Sequence, residues 1–354
     1  MNHRFQRLAA RLPIIRLIAN QQAIALHHIT AGFVYSQILQ ACVQLNLFSL
    51  LEKGPLSAAQ LAGQTGLKGE GLQTLLKAAA SLQLIDRLDD DLWGLGQLGT
   101  ATLAYPGISA MVDHHALLYK DLVDPVALLS ERKSTHLSAY WPYAQGTSDP
   151  DAAARYSALM ANSLAIISTH ILDACSLRHA RCLMDVGGGS GAFAAAAIAR
   201  HPQLKAIVAD LPEVVTSAEA LRRANATSSL SFAAVNVFKQ SLPAGADVVS
   251  LVRILHDHDD DKALMIVRAV RRSMKEGGQL LVAEPLADTA GAEAIGHGYF
   301  GMYLWAMASG RPRTLAEIGQ LLRAGGFSDV KEHRSNVPAL VRVISATANS
   351  AKNY

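Results

Sequence analysis

Apolar residues in the first part of the chain follow a helical rhythm. Phe33, Ile38, Leu39, Cys42, Leu45 and Leu47 carry it, and the stretch from Ala31 to Leu51 holds no charge. That stretch also contains Ser36, Gln37, Gln40, Gln44 and Asn46. Such side chains are costly in lipid, so it reads as a buried helix and not as a membrane span. Ser57 is placed to cap a short helix that Gly66 would end, and Leu72 to Leu82 supplies a second helix. Leu84 to Leu88 and Leu92 to Leu95 alternate on either side of Asp89-Asp90-Asp91, as a strand pair with an acidic turn does. Helix, turn, helix and β-wing together make a winged-helix pattern.

From about Cys182 the rhythm changes to strand–helix alternation. Strands are expected at Cys182–Val186, Ala206–Asp210, Ser229–Ala234, Asp247–Arg253 and Gln279–Glu284, with helices at Gly191–Arg200, Pro212–Arg223 and Asp260–Lys275. This predicts an α/β fold with a parallel, doubly wound, Rossmann-like sheet. The change of pattern divides the chain into a mostly α-helical winged-helix domain over residues 1–150 and the sheet domain over 151–354. Ligands of such a sheet gather at the carboxyl ends of its strands.

Composition narrows the classes. At 354 residues with 50% hydrophobic content, the chain can bury two cores. A net charge of +3 is too small to argue for nucleic acid. The would-be recognition helix of the winged-helix module carries only Lys77 inside and Lys68 with Glu70 at its start, where phosphate binding needs several cations. A dimerisation platform fits it better than DNA. Three cysteines with no C-x-x-C pair favour a reducing cytoplasm, and no signal peptide is evident. No acid precedes Glu52, whereas Arg4, Arg7, Arg11 and Arg16 do. The plain reading of these arginines is a solvated arm. The sharper one is peripheral attachment to an anionic membrane surface.

The chemistry concentrates in three places. Asp185-Val186-Gly187-Gly188-Gly189-Ser190-Gly191 turns from strand to helix, so Gly187, Gly189 and Gly191 let backbone N–H groups approach a ligand closely. Asp210 ends the next strand, where a carboxylate can accept from both ribose hydroxyls. Together they indicate an adenosine cofactor, and both a nicotinamide enzyme and an S-adenosylmethionine (SAM) enzyme satisfy the pattern. Third, His256 follows the fourth strand of the sheet, and an imidazole there is suited to accept a proton. Asp259, Asp260 and Asp261 read as caps for the next helix. His256 and His258 with these acids do not read as a metal site, because consecutive residues in a turn cannot all converge on one ion.

In this order and behind a winged-helix domain, the glycine run, Asp210-Leu211-Pro212 and Leu255-His256-Asp257 resemble the SAM-dependent O-methyltransferases related to caffeate and acetylserotonin methyltransferases. The resemblance implies that His256 is the general base supported by Glu284, and that Asp210 with Leu211 holds the ribose. It places Arg253 near the cofactor, and Tyr156, Met160 and Ser163 on the helix covering its methionine end. It also implies a homodimer whose first domain contributes a lid over the substrate. Two positions depart from the family. Asn236, beside Val237, replaces an acid that contacts the adenine amine, although an amide oxygen can still accept that bond. Pro312 stands where the family has a second acid behind the histidine.

A closer resemblance accounts for that difference. Tyr299-Phe300-Gly301-Met302-Tyr303-Leu304, Gly310-Arg311-Pro312-Arg313, His114-His115-Ala116-Leu117-Leu118-Tyr119 and Ala31-Gly32-Phe33-Val34-Tyr35-Ser36-Gln37 are similar to the hydroxyneurosporene/demethylspheroidene O-methyltransferases of carotenoid synthesis. This similarity implies an acyclic hydroxycarotenoid as acceptor. His114, His115, Met302 and Trp305 are then candidates for the substrate pocket, although core packing is the ordinary job of each. A phenolic or tetrapyrrole-pathway acceptor is the alternative.

Overall fold

In the computed structural model, which describes residues 13–132, 134–140, 159–161, 164, 167–224 and 229–350, the N-terminal pattern resolves into one long helix, Pro13–Gln44. Asn46 ends it in the left-handed conformation (φ 53°), and helix Leu47–Glu52 follows. The burial expected over 31–51 holds only for its second half. Phe33 is 66% exposed, whereas Cys42 and Leu47 are fully buried with Phe48, Leu61, Leu72, Leu76 and Trp93. Only the last turns of the helix reach that core. Ser57 and Gln60 form a reciprocal capping box that opens helix Ala58–Thr65, and Gly66 closes it at φ 74°. Strands β1 (Leu56–Ser57), β2 (Ile85–Asp89) and β3 (Leu92–Leu95) pair antiparallel in the order β1-β3-β2 and form the wing.

The chain divides into two compact units, Met1–Asp113 and His114–Tyr354. The division falls inside helix Pro106–Asp121, upstream of the change in sequence pattern near residue 150. The pattern marks where strands begin, and helices such as Pro125–Ser130 and His136–Tyr140 belong by contact to the second unit.

That unit is built on β4 (Cys182–Val186), β5 (Lys205–Asp210), β6 (Leu230–Ala234), β7 (Val248–Val252), β8 (Gln279–Glu284), β9 (Phe327–His333) and β10 (Arg342–Ala348). Their order is β6-β5-β4-β7-β8-β10-β9. The first five are parallel, as expected. β10 enters antiparallel between β8 and β9, so the sheet is mixed and not wholly parallel. The apolar run 341–346, broken by Arg342 and Ser345, is the signal for this strand. Two apolar clusters, one on each face of the sheet, explain why β7 is buried at all five positions. The chain reverses its direction of travel between neighbours β4 and β7, and the crevice at that switch point lies between the glycine turn and the His256 turn.

Candidate active site

Asp185 is the first polar group at the end of β4 and is almost fully buried. Ser250, its register partner on β7, donates a hydrogen bond from Oγ to Asp185 Oδ1 at 2.6 Å. Burial pushes Asp185 up to about 7, against the Ser250 bond and with help from the charge of Asp210. The turn that follows uses left-handed backbone at Gly187 (φ 71°) and Gly189 (φ 58°), where a Cβ is strained. Nothing lies within 4 Å of where a Cβ would stand on Gly189, which leaves an open cradle lined by main chain. Gly191, also left-handed, opens helix Ala192–Arg200, whose N-terminus adds positive potential.

Asp210 faces this cradle from the end of β5. Its Oδ2 accepts from Gly189 N at 2.8 Å and its Oδ1 from Leu211 N at 2.7 Å. Burial raises its carboxyl to about 6, although those two N–H groups pull the other way. A carboxylate has about four acceptor sites, so capacity remains for a diol. The open cradle and the anchored carboxylate fit the ribose of a nucleoside. Asn236 Oδ1 accepts from Phe238 N at 3.0 Å in a local turn, and its second lone pair is the one left for an adenine amine. Val237 packs on the core, and Met160 packs against the cluster around Leu304. Tyr156 and Ser163 lie outside the described residues.

His256 sits in the tight turn Leu255–Asp257 after β7 and is 6% exposed. Arg253, which leads into the turn, holds a left-handed φ of 57°, a strained conformation for a residue with a Cβ. Its amide donates to Ala283 O at 2.8 Å, and that register sets Glu284 beside the turn. Glu284 Oε1 accepts from the amides of Ile254 (3.0 Å) and Leu255 (2.7 Å). Its Oε2 lies 2.8 Å from His256 Nδ1, an ion-pair approach that is off line for a hydrogen bond. On the other side Asp257 Oδ1 is 3.1 Å from Nε2. Burial alone would depress this imidazole, but the charges of Glu284 and then Asp257 outweigh it and push the ring up to about 9. The two acids therefore favour the imidazolium form of the ring. Glu284 was legible in the sequence. The approach of Asp257 to Nε2 was not, because it depends on how the turn is wound.

An aromatic wall joins His256. Phe300 lies against its ring, and Tyr299 packs on both Phe300 and Tyr303. His115 Nε2 meets the Tyr299 hydroxyl at 2.8 Å, and His114 Nε2 meets Tyr303 at 2.9 Å. Burial lowers both imidazoles, His114 to about 4 with help from the charge of His115, so the pair is neutral. Met302 packs in the same cluster. Trp305 packs against that cluster too; its Nε1 donates to Leu128 O at 2.7 Å, and the Arg132 guanidinium lies 5.2 Å over its ring.

The acidic run stands at the start of the next helix, with Asp260 and Asp261 in its first turn, but without the side-chain cap expected of it. Asp259 stands at the N-cap position of helix Asp260–Ser273, yet its side chain caps nothing. It binds Arg132 Nη1 at 3.0 Å and Gly310 N at 3.2 Å. Asp260 binds Arg311 and Arg313. Sequence spacing cannot show these partners: Arg132 is 127 positions away, and Gly310, Arg311 and Arg313 are just over fifty.

Residues 119–328 match the family model of the O-methyltransferase domain, and residues 27–104 match that of the O-methyltransferase dimerisation domain. The chain is 38% identical to demethylspheroidene O-methyltransferase of Cereibacter sphaeroides, over 99% of this chain and 93% of that one. It is 36% identical to the enzyme of the same name from Rhodobacter capsulatus, over 98% and 87% of the two chains. The structure of human N-acetylserotonin methyltransferase in complex with SAM shares the fold, with a TM-score of 0.80 at 24% identity over 93% and 98% of the chains.

Proposed function

We propose that this chain, which belongs to the SAM-dependent O-methyltransferase family, methylates the tertiary 1-hydroxyl of an acyclic hydroxycarotenoid to give a methoxycarotenoid. The observation that carries the reading is identity of 36% and 38% over nearly the full length to two demethylspheroidene O-methyltransferases. When bound, SAM supplies an electrophilic methyl group. Asp210, the Leu211 amide and the Gly187–Gly191 turn hold its nucleoside, with Asp185, Asn236, Val237 and Arg253 around them. Met160, with Tyr156 and Ser163, covers the methionine end.

His256 is the general base. Buried Glu284 holds the Nδ1 side and Asp257 Oδ1 faces Nε2 at 3.1 Å, so Nε2 receives the acceptor's proton once Asp257 swings off it. The ring must be neutral to accept it. A tertiary alcohol is a far weaker acid than a phenol, so transfer to His256 comes late, as the new C–O bond forms. General-base help contributes about 10²–10⁴-fold. Holding the reacting atoms at attack distance can contribute about 7–11 kcal/mol. Positioning therefore dominates, and the wall of Tyr299, Phe300, Met302 and Tyr303 beneath His114 and His115 supplies it for a long apolar acceptor.

The assembly in this reading is a homodimer, supported by the dimerisation-domain match. We place it in the cytoplasm, where it meets its lipid-soluble acceptor at the inner membrane face. Exposed Ile15, Leu17 and Ile18 around Arg16 support that contact, and no helix among the described residues is long and apolar enough to cross a membrane. Equal liposome co-sedimentation with and without the first 18 residues would dispose of the contact. The central test is incubation with labelled SAM and extracted hydroxycarotenoids, reading a mass gain of one methylene. His256→Ala should lose about 10²–10⁴-fold in kcat while SAM affinity, measured by calorimetry, holds. Near-normal turnover would refute the base. Methylation of phenols or tetrapyrroles in place of carotenoids would overturn the acceptor.

A further inference from the structure

Four consecutive carbonyls, from Leu255 to His258, surround the general base, and a single distant segment meets all four. Arg313 Nη1 donates to Leu255 O at 2.5 Å, and its Nη2 donates to His258 O at 2.8 Å. Between them, Arg311 N donates to His256 O at 2.9 Å and Ser309 Oγ to Asp257 O at 2.7 Å. The fit is close enough that Gly310, left-handed at φ 76°, could not carry a side chain: its Cβ would stand 2.0 Å from His256 O. On the opposite edge, Glu284 Oε1 holds the amides of Ile254 and Leu255.

Arg313 is the side chain that closes this clamp. It is 3% exposed, and its planar fork spans the turn in a way an ammonium cannot. Asp260 Oδ1 in turn accepts from Arg313 Nε at 3.0 Å and Nη2 at 2.7 Å. The Asp260 side chain is 59% exposed, so its ion pair adds little stability by itself and serves mainly to orient the guanidinium. We propose that Arg313, oriented by Asp260, is a positioning residue for the reaction: by gripping the carbonyls before and after His256 it fixes where the imidazole meets the acceptor. The clamp supplies from the main-chain side the restraint that an acid at position 312 would give from the ring side. The proposal rests on His256 being the general base.

The test compares full-length wild type, Arg313→Lys, Arg313→Ala and Asp260→Asn, each with SAM bound. Arg313→Lys keeps the charge but loses the fork. It should lower kcat by roughly 10–100-fold, as a displacement of about 1 Å does, with acceptor KM and SAM affinity within about threefold. Asp260→Asn should fall between it and wild type. In protein labelled with nitrogen-15 histidine, the His256 ring resonances and their titration should move in Arg313→Lys, a change that loss of packing elsewhere would not produce. If Arg313→Ala fails to fold, the lysine and asparagine variants still decide. A folded Arg313→Lys with wild-type kcat or an unmoved His256 titration overturns the proposal, whatever the acceptor proves to be. Normal turnover by His256→Ala would instead remove the base, and this role with it.

Discussion

Replacing Glu284 by Gln separates charge from shape at the general base. The amide keeps an oxygen for the Ile254 and Leu255 N–H groups, which lie 3.0 and 2.7 Å from Oε1, but removes the anion facing Nδ1. The ring stands at about 9 against an ordinary 6.5, although burial opposes the rise. That gap is a preference for the imidazolium of roughly 3 kcal/mol. The charge of Glu284 is the largest single influence raising the ring. Without it, burial regains most of the balance and the ring should titrate near 6.5 or lower. The assay is kcat/KM for the acceptor between about pH 6 and 10, which reports ionisations of the free enzyme. Wild type should gain about tenfold per pH step up to a limb near 9, because only the neutral ring accepts a proton. Glu284→Gln should level off near neutrality, at a plateau lower by roughly tenfold or more, since a weaker base drives the transfer less. A limb that stays near 9 in the variant would refute the account of His256.

Gly310→Ala should be far worse than an ordinary surface change, because a left-handed position and a backbone overlap coincide. We expect a loss of at least about 2 kcal/mol, read as a drop of several degrees in Tm. Gly189→Ala meets no atoms and costs about 1–2 kcal/mol from conformation alone. Calorimetry should find its SAM affinity reduced out of proportion to that small Tm loss, and equal affinity would remove the cradle from the cofactor site. The raised ring also makes stability depend on pH with a definite sign. Its stabilisation is complete below the unfolded value of 6.5 and is lost as pH rises through about 9. Thermal melts between these limits should therefore fall more steeply for wild type than for His256→Gln, and parallel curves would count against it.

Much of the sheet domain was legible because its signals are local. Cys182–Val186 and Gln279–Glu284 are apolar runs of strand length, and the glycine turn and Asp210 stand at strand ends where ligands gather. His256 could be named for the same reason, whereas Glu284 was named through the family resemblance. What escaped depends on contacts across long stretches of chain. Asp259 and Asp260 resemble helix caps until Arg132, Arg311 and Arg313 arrive from elsewhere. Ser250 looks like a flaw in an apolar strand until its register partner proves to be Asp185. The apolar rhythm of Pro13–Gln44 predicted the helix correctly but not its exposure, because periodicity gives the faces of a helix and not what covers them.

The antiparallel entry of β10 has a consequence for synthesis. β8, which carries Glu284, has β7 on one side, but its other flank is bare until residues 342–348 have been translated. A ribosome that stops after β9 releases a chain with every catalytic side chain present and an unpaired strand edge beside them, open to aggregation. Nonsense mutations over the last dozen codons of the sheet should therefore behave as complete losses, far from the chemistry though they lie.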